Sequence, residues 1–281
     1  MKTKTSFFLP ESFEELWTDL DAHPNAKIMA GGTDLLVFLR AKGGKIPTII
    51  CLEKISTLDT IEQRDGFIYI GAATSLTTLL ESAVIGSQLA VLHSAVGELG
   101  SPLIRNMGTI GGNICTGSPA GDTLPALFVL RAEVVLKSRR SERILPINSF
   151  ITGPGKTVLQ DDEILHSIRV PVSGQFNIHH FEKVGQRKAL AISIVSLAAL
   201  IRTEKDIIKE ARFAWGSVGP TIIESQEVEQ SLLGQPLTLP MLENAANLAR
   251  QAVMPISDLR ASGEYRKQVA GNLLLRLFKT E

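Results

Sequence analysis

The segment from Arg105 to Asp122 restricts the possible fold more than any other stretch of the chain. It reads RNMGTIGGNICTGSPAGD and carries no large side chain after Ile114. Such a stretch has too little apolar surface for a hydrophobic core, and it is too long and polar for a simple hairpin turn. We therefore expect a loop that Ile110 and Ile114 anchor. Its glycines would allow positive φ angles and a close approach of the backbone to a ligand.

Two interpretations of this segment remain open. In the first, successive exposed N–H groups form an anion site. Asp122 then acts as the N-cap of a helix that has Pro125 in its first turn and runs to Leu130, and a polar glycine-rich loop before a helix is typical of phosphate sites. In the second, the glycines serve only tight turns. Short glycine motifs do not decide between the two.

A second glycine turn follows a short apolar run at positions 27–30. The turn is Gly31-Gly32-Thr33, Asp34 begins an apolar helical run to Leu39, and residues 48–52 are strongly apolar. This order predicts a βαβ unit with parallel strands, and its turn is either a second phosphate-binding turn or a plain connection.

Two common nucleotide-binding motifs are excluded. No G-x-G-x-x-G occurs in the chain, and Phe150 stands where a P-loop ending in Gly155-Lys156-Thr157 would need its first glycine. Residues 152–156 are therefore interpreted as a loop.

Composition narrows the class of protein. The 281 residues suffice for two or three domains, and Lys plus Arg equal Asp plus Glu at 29 each, which argues against nucleic acid as the main partner. Cys51 and Cys115 lack the paired spacing of an iron–sulfur or zinc site. Residues 1–10 lack a signal peptide's apolar run, and no apolar stretch reaches about 18 residues. We expect a soluble, cytoplasmic protein without a membrane span.

Periodicity along the rest of the chain predicts an α+β protein. Ser12 and Glu15 form a capping box before a helix, and a polar break at 172–175 separates the last part of the chain. The strands and helices of that part indicate an antiparallel sheet covered on one face. The predicted strands are 67–70, 133–137 and 143–147 (a hairpin), 163–171, 193–201 and 211–218, and the predicted late helices are 224–233, 241–252 and 262–278.

The sequence contains no recognisable catalytic constellation. Neither G-x-S-x-G nor H-E-x-x-H occurs, and His179 and His180 lie on opposite sides of a predicted strand, so they cannot share a metal ion. We predict no catalytic residue and no metal ligand. Where binding loops occur without reactive side chains, a cofactor is expected to supply the chemistry.

Taken together, these motifs resemble the FAD-binding medium subunit of the xanthine dehydrogenase/carbon monoxide dehydrogenase family of molybdenum hydroxylases. The similarity extends over essentially the whole chain, and the set in this order is far more specific than any one motif. The segments that carry it are 30–36, 105–106, 108–114, 118–119 with Asp122, 153–157, 163–165, Lys183 with Arg187, and 261–266.

This resemblance implies an FAD-binding type 2 (PCMH/vanillyl-oxidase-like) fold. It consists of two α/β subdomains, residues 1–56 and 57–175, followed by a C-terminal domain of an antiparallel sheet and three helices, residues 176–281. A noncovalent FAD would lie extended across the subdomains, with Leu165 near its adenosine part and Lys183 near the isoalloxazine ring. From the residues alone, Lys183 would instead be a solvated strand residue. The implied cofactor-binding residues are Met29, Ala30, Gly31, Gly32, Thr33, Asp34, Leu35, Thr109, Gly111, Gly112, Asn113, Thr116, Asp122, Leu165 and Lys183.

The resemblance also implies partners. One subunit would carry two [2Fe–2S] clusters and another the molybdenum–pterin cofactor, in a heterotrimer that dimerises, with NAD⁺ or another electron acceptor. Alternatives are a self-sufficient flavin oxidase of related fold and a degenerate, non-redox assembly subunit. Leu99 replaces the aromatic residue that eukaryotic members place against the flavin, and the substrate stays open because the molybdenum subunit decides it.

Overall fold

The computed structural model describes residues 6–43, 47–172 and 176–278. Within these ranges the strands form sheets of three, five and four strands and one two-stranded ribbon. The predicted break at 172–175 falls largely on residues 173–175, which lie outside the described residues, as do the outer ends of the predicted domains 1–56 and 176–281. No helix in the described part of the chain is both long and apolar enough to cross a membrane.

The N-terminal part forms a small parallel sheet in the order β1-β3-β2. Strand β2 pairs with β3 in parallel, with Lys27 opposite Ile49, which confirms the predicted βαβ unit. Strand β1 was not predicted, because two residues carry no periodic signal. The elements are β1 (Phe7–Phe8), α1 (Phe13–Ala22), β2 (Lys27–Met29), α2 (Leu35–Lys42), β3 (Ile49–Cys51) and a 3-10 helix (Ser56–Leu58).

Helix α1 begins at the predicted cap. The Ser12 hydroxyl accepts a hydrogen bond from the N–H of Glu15 at 3.3 Å. The Glu15 carboxylate accepts from the N–H of Glu11 at 2.9 Å, so the return bond of the capping box falls one residue earlier than predicted. The two bonds satisfy backbone N–H groups at the start of the helix, which have no partner within the helix itself.

The middle part surrounds a five-stranded antiparallel sheet in the order β4-β5-β10-β6-β7. The predicted hairpin is confirmed, with Glu133 opposite Pro146 and Lys137 opposite Glu142. The strands are β4 (Ile61–Arg64), β5 (Phe67–Gly71), β6 (Glu133–Lys137), β7 (Glu142–Pro146), β8 (Ile151–Gly153), β9 (Lys156–Thr157) and β10 (Ile164–Pro171). The helices are α3 (Leu76–Glu81), α4 (Ala83–Gln88), α5 (Ala90–Glu98), α6 (Pro102–Met107), α7 (Ile110–Thr116), α8 (Thr123–Val129) and α9 (Ile147–Phe150).

The glycine-rich segment is more helical than predicted. Instead of an open loop, it forms the second half of α6 and the whole of α7. Ile110 and Ile114 lie one helical turn apart and are fully buried, so they anchor the segment as expected. Glycine's low helix propensity favoured a loop, but burial of the two isoleucines holds α7 in place. Gly117 ends the helix with a left-handed φ of 57°.

The C-terminal part contains the predicted antiparallel sheet and three helices. Its sheet has the order β11-β12-β13-β14, and Trp215 of β13 is fully buried beneath the helices. The elements are β11 (Ile178–Val184), β12 (Val195–Glu204), β13 (Ile207–Gly216), β14 (Ile223–Glu224), α10 (Gln226–Leu232), α11 (Leu239–Ala252) and α12 (Gly263–Leu275).

This sheet is covered on both faces, so the prediction of one covered face was wrong. Leu197 and Ala199 of β12 belong to the core beneath the C-terminal helices. Ala198 and Leu200, which alternate with them, belong to the core of the middle part. A continuous apolar run is typical of a strand buried on two sides. The predicted unit is therefore packed directly against its neighbour.

Gly31 sits where the β2–α2 turn meets α6. A Cβ atom at this position would lie 1.5 Å from the Met107 carbonyl oxygen. We expect Gly31→Ala to lower the free energy of unfolding by about 3 kcal/mol, because turn and helix must separate to admit the methyl group. Urea denaturation of the cofactor-free chain measures this.

The matched control is Gly97→Ala in α5, where the nearest atom to an added Cβ is the Leu80 Cδ1 at 3.9 Å. This variant should be as stable as the wild type or slightly more stable, since alanine favours a helix. Equal stability of the two variants would contradict the close contact at Gly31.

Candidate functional site

A cleft of about 620 Å³ runs between the β2–α2 turn, helix α7 and the β11–β12 connection. It has room for a ligand considerably larger than a single side chain, and glycine backbone forms part of its wall. The predicted residues that line it are Met29, Ala30, Gly31, Gly32, Thr33, Asp34, Leu35, Thr109, Gly112, Asn113, Thr116 and Asp122.

The β2–α2 turn offers free backbone donors to the cleft. The N–H groups of Gly32, Thr33 and Asp34 donate no hydrogen bond to any described residue. Gly32 has a φ of 69°, a conformation that favours glycine. Successive unpaired N–H groups in a turn are a binding place for an anion. The Thr116 hydroxyl also donates to the Asp34 carboxylate at 3.0 Å, which joins the turn to α7.

Helix α7 does not offer such donors, and the expectation of accessible N–H groups there was wrong. The N–H of Ile110 donates to the Thr74 carbonyl, and the N–H of Gly111 donates to the Ala72 carbonyl at 2.9 Å. The next N–H, of Gly112, donates to the Thr109 side chain at 3.1 Å. The physical reason is that α7 packs against the end of β5, so its first turn is capped internally.

The two adjacent glycines of α7 have different surroundings. Gly111 is buried, and a Cβ there would lie 2.6 Å from the Ala72 carbonyl oxygen, so it permits the contact between α7 and the core. Gly112 is exposed to the cleft, and a Cβ there would approach only the Thr109 Oγ1, at 3.0 Å. Gly111 therefore supports the cleft from behind, and Gly112 leaves its surface open.

Asp122 and Lys183 form a buried ion pair beside the cleft. The Lys183 Nζ lies 2.8 Å from the Asp122 Oδ2, with only 5% and 9% of the two side chains exposed. The same ammonium group donates to the Glu98 carbonyl oxygen at 2.5 Å. Lys183 is thus not a solvated strand residue. Asp122 precedes α8 as predicted but makes no capping bond, because its carboxylate turns to Lys183.

The other oxygen of Asp122 has no partner. Its Oδ1 is buried and accepts no hydrogen bond from the described residues. Burial raises the pKa of the Asp122 carboxyl from 3.8 to about 6, and the Lys183 ammonium offsets only part of this shift. A buried acceptor at a cleft wall that lacks a donor fits a ligand N–H or O–H group.

Asn113 is held by the residue that follows Asp122. The buried Thr123 hydroxyl donates to the Asn113 Oδ1 at 2.5 Å. This bond occupies the amide oxygen and leaves the amide N–H groups of Asn113 for a ligand in the cleft.

Leu165 does not reach the cleft. It lies on β10 opposite Leu136 and is buried in the main core, because both faces of that central strand are covered. Lys183 does not line the cleft either, but it contacts Asp122, which does. Gly111 does not line the cleft either, because it is buried behind Gly112 against Ala72.

The β11–β12 connection contributes wall residues that sequence reasoning missed. Leu190, Ala191 and Ile192 line the cleft, and Leu190 adopts a positive φ of 56°. No pattern in the sequence marks them, because only the docking of the C-terminal part brings them to the cleft. Leu99, noted for its missing aromatic ring, also lines it.

Cys115 lines the cleft as an inert thiol. Burial raises its pKa to about 12, so the thiolate needed for covalent chemistry is scarce near neutral pH. In the described part of the chain no group of three or more His, Cys, Asp or Glu side chains could hold a metal ion. Cys115 is therefore a poor nucleophile for covalent attachment of a ligand in the cleft.

The raised pKa of Asp122 predicts how the stability of the protein depends on pH. The folded state binds this proton more tightly than the unfolded chain, so the contribution of Asp122 to stability is fully present below about pH 4 and is lost as pH rises to about 6. Relative to Asp122→Asn, the wild type should lose on the order of 3 kcal/mol of unfolding free energy between pH 4 and 7. Urea unfolding of both proteins at several pH values measures the difference. A pH-independent difference would contradict it.

Comparison with known proteins gives the family. Residues 3–173 match the FAD binding domain in molybdopterin dehydrogenase, and residues 180–280 match the CO dehydrogenase flavoprotein C-terminal domain. The chain is 36% identical over 247 residues to the xanthine dehydrogenase FAD-binding subunit of Escherichia coli O157:H7, covering 87% of this chain and 84% of that protein. It is 31% identical over 278 residues to the nicotinate dehydrogenase FAD-subunit of Eubacterium barkeri, covering 97% and 94%.

The fold agrees with these matches. A solved structure of carbon monoxide dehydrogenase from Hydrogenophaga pseudoflava superposes with a TM-score of 0.92 at 27% identity, over 98% of this chain and 96% of that one. The sequence matches, the fold and the glycine-lined cleft all agree with one family. The chain therefore belongs to the family of FAD-binding medium subunits of molybdopterin dehydrogenases, and it is an oxidoreductase component whose cofactor is FAD.

Proposed function

We propose that the chain is the electron-transfer subunit of a multisubunit molybdenum hydroxylase. It takes electrons from [2Fe–2S] clusters on one partner, which receives them from a molybdenum–pterin subunit, and passes them to NAD⁺ or another acceptor. The observation that carries the proposal is the β2–α2 turn. Its residues Gly32, Thr33 and Asp34 line a cleft large enough for a dinucleotide, and their N–H groups donate no hydrogen bond to any described residue.

The turn fits the pyrophosphate of FAD. Gly32, Thr33 and Asp34 supply the donors, and pyrophosphate oxygens are strong acceptors. The bond from Thr116 to Asp34 keeps the turn beside α7, so the two predicted glycine regions face one ligand. We assign the pyrophosphate to this turn, with Gly112 and Asn113 beside the adjoining part of the cofactor.

Asp122 and Lys183 fit the isoalloxazine end. The unpaired Asp122 Oδ1 would accept from a ring N–H group. Behind it, the Lys183 ammonium would stabilise negative charge that the ring gains on reduction. When bound, FAD supplies the redox chemistry that no side chain of the cleft offers, since it exchanges both single electrons and pairs.

Both alternatives are less well supported. A self-sufficient oxidase with covalently attached flavin would need a reactive group in the cleft, and the raised pKa of Cys115 keeps that thiol protonated. A non-redox subunit that binds no flavin would leave the N–H groups of the β2–α2 turn and the buried Asp122 Oδ1 without a hydrogen-bond partner.

The direct test is an absorption spectrum of the purified holoenzyme and of the isolated chain before and after FAD is added. The proposal is supported if absorption bands at about 370 and 450 nm are present and lose intensity when the substrate of the holoenzyme is added. A holoenzyme that turns over with a colourless, FAD-free subunit would overturn it.

Gly112→Val should abolish FAD binding and preserve the fold. The new Cβ would lie 3.0 Å from the Thr109 Oγ1, which a small movement of that side chain relieves, and the two methyl groups would occupy cleft surface that the cofactor needs. Flavin content and circular dichroism measure the two effects. Gly97→Val, which places the same side chain on a helix away from the cleft, should keep its flavin. Wild-type flavin content in Gly112→Val would refute the assignment.

Lys183→Met should make the midpoint potential of the bound flavin more negative. Loss of the ammonium removes stabilisation of the reduced ring, and we expect about 30 mV or more, equivalent to ~1.4 kcal/mol for a two-electron couple. A spectroscopic redox titration measures the shift, with the exposed Lys209→Met of β13 as control. An unchanged potential would leave Lys183 with a purely structural role.

A further inference from the structure

Arg266 is a buried cation in the C-terminal part of the chain. It lies in the first turn of α12, and only 3% of its surface is exposed. Its Nη1 donates to the Ile194 carbonyl oxygen at 2.7 Å and to the Ser217 carbonyl oxygen at 3.1 Å. Its Nη2 donates to the Asp258 Oδ1 at 2.8 Å. A charge is kept out of water only where its bonds offset the loss of hydration, so these three acceptors show which segments the residue holds together.

The first carbonyl belongs to the β11–β12 connection, residues 185–194. Ile194 is the last residue of this connection, and residues 190–192, a few positions earlier, line the cleft. The start of the connection is fastened as well, because the Gln186 side chain donates to the Arg260 carbonyl oxygen at 3.3 Å. Both ends of the connection are therefore bonded to the segment from 258 to 266, and the wall residues lie between these two points.

The second carbonyl links Arg266 to another stretch of the wall. Ser217 has a left-handed φ of 65°, and its N–H donates to the Pro119 carbonyl oxygen at 2.8 Å. Residues 118 and 120–122, on either side of Pro119, line the cleft. Through its Nη1, Arg266 thus holds the backbone of two strand ends that each lead to a different wall.

Asp258 fixes the direction of the guanidinium group. Its Oδ1 also accepts from the N–H groups of Arg260 and Ala261, at 2.8 and 3.2 Å. The N–H of Arg260 and the Arg266 guanidinium lower the pKa of the Asp258 carboxyl to about 2, so this partner is ionised near neutral pH. A planar guanidinium held by a carboxylate on one side presents its other N–H groups in fixed directions. A lysine places all its donors on one nitrogen, whereas the acceptors here are shared by two.

We propose that Arg266 is a positioning residue for the cofactor cleft, which holds the β11–β12 connection and the 118–122 segment at a fixed separation. The inference rests on the proposed FAD site and adds to it a residue that does not itself line the cleft. The connection begins two residues after Lys183, and the 118–122 segment ends at Asp122. Both walls therefore adjoin the end of the cleft assigned to the isoalloxazine ring.

The test is Arg266→Lys, which keeps the charge but not the two-nitrogen geometry. We expect the full chain to bind FAD about 10-fold more weakly, as measured by quenching of flavin fluorescence, because the walls are no longer held at one separation. The visible circular dichroism of the bound flavin should change as well, since this signal reports the asymmetric surroundings of the ring. FAD loss from the holoenzyme during dialysis should become faster by a similar factor.

The matched control is Arg250→Lys. The Arg250 guanidinium joins α11 to α12 through the Asn272 Oδ1 at 2.8 Å and has no bond to either wall. This variant should bind FAD like the wild type, even if its free energy of unfolding falls. Gln186→Ala is a second variant, at an exposed position, and it releases only the start of the connection. It should show a smaller change of the same kind, and it decides the question if Arg266→Lys does not fold.

A double-mutant cycle separates positioning from a merely structural role. In a chain that carries Leu190→Gly and Ile192→Ala, the connection has already lost its apolar contacts in the cleft. Arg266→Lys should then weaken FAD binding by less than about 3-fold, because the two changes act on the same wall. The same 10-fold loss in both backgrounds would contradict the proposal.

Two further outcomes distinguish this inference from the function on which it rests. If Arg266→Lys lowers the free energy of unfolding but leaves FAD affinity and the visible circular dichroism as in the wild type, Arg266 is only structural and the proposal is wrong, although the FAD site stands. A wild-type holoenzyme that holds no FAD would instead overturn the underlying function.

Discussion

The close packing of α7 against the end of β5 is the contact on which the cleft depends. Ile110 and Ile114 insert into the main core, and Gly111 admits the Ala72 backbone at a distance that no other residue would allow. Because this face is fixed, the opposite face of the same short helix becomes a rigid wall. Gly112, Asn113 and Thr116 therefore stand at defined positions without any contribution from a ligand.

The buried ion pair between Asp122 and Lys183 joins the middle part of the chain to the C-terminal part. Asp122 leads into α8, whereas Lys183 belongs to β11 of the C-terminal sheet. Burying two charges is costly unless each is well paired, and one oxygen of Asp122 is left without a donor. A site that keeps such a group is incomplete until a ligand supplies the missing bond.

The arrangement separates binding from chemistry. Backbone donors, a glycine surface and one polarised ion pair can hold and tune a flavin, but none of them can perform a redox reaction. The cleft residues can therefore bind and orient the cofactor, and the redox chemistry belongs to the FAD itself.

Several parts of the fold and of the cleft could be predicted from the sequence, because they depend on local patterns of residues. Strand–turn–helix order predicted the parallel βαβ unit, and two strand-like runs around a charged turn predicted the β6–β7 hairpin. The two glycine regions contain residues that line the cleft. The set of motifs in this order also resembled one family, and the comparisons confirm that family.

Only the tertiary structure decided which backbone groups are free. Glycine predicted accessible donors in both regions, but packing against β5 consumes those of α7 and leaves those of Gly32, Thr33 and Asp34. Likewise, no local pattern shows that Lys183 is buried against Asp122, that Leu165 points into the core, or that Leu190 reaches the cleft. These features arise from contacts between residues far apart in the chain, and the energy of such contacts depends on their partners rather than on the residue itself.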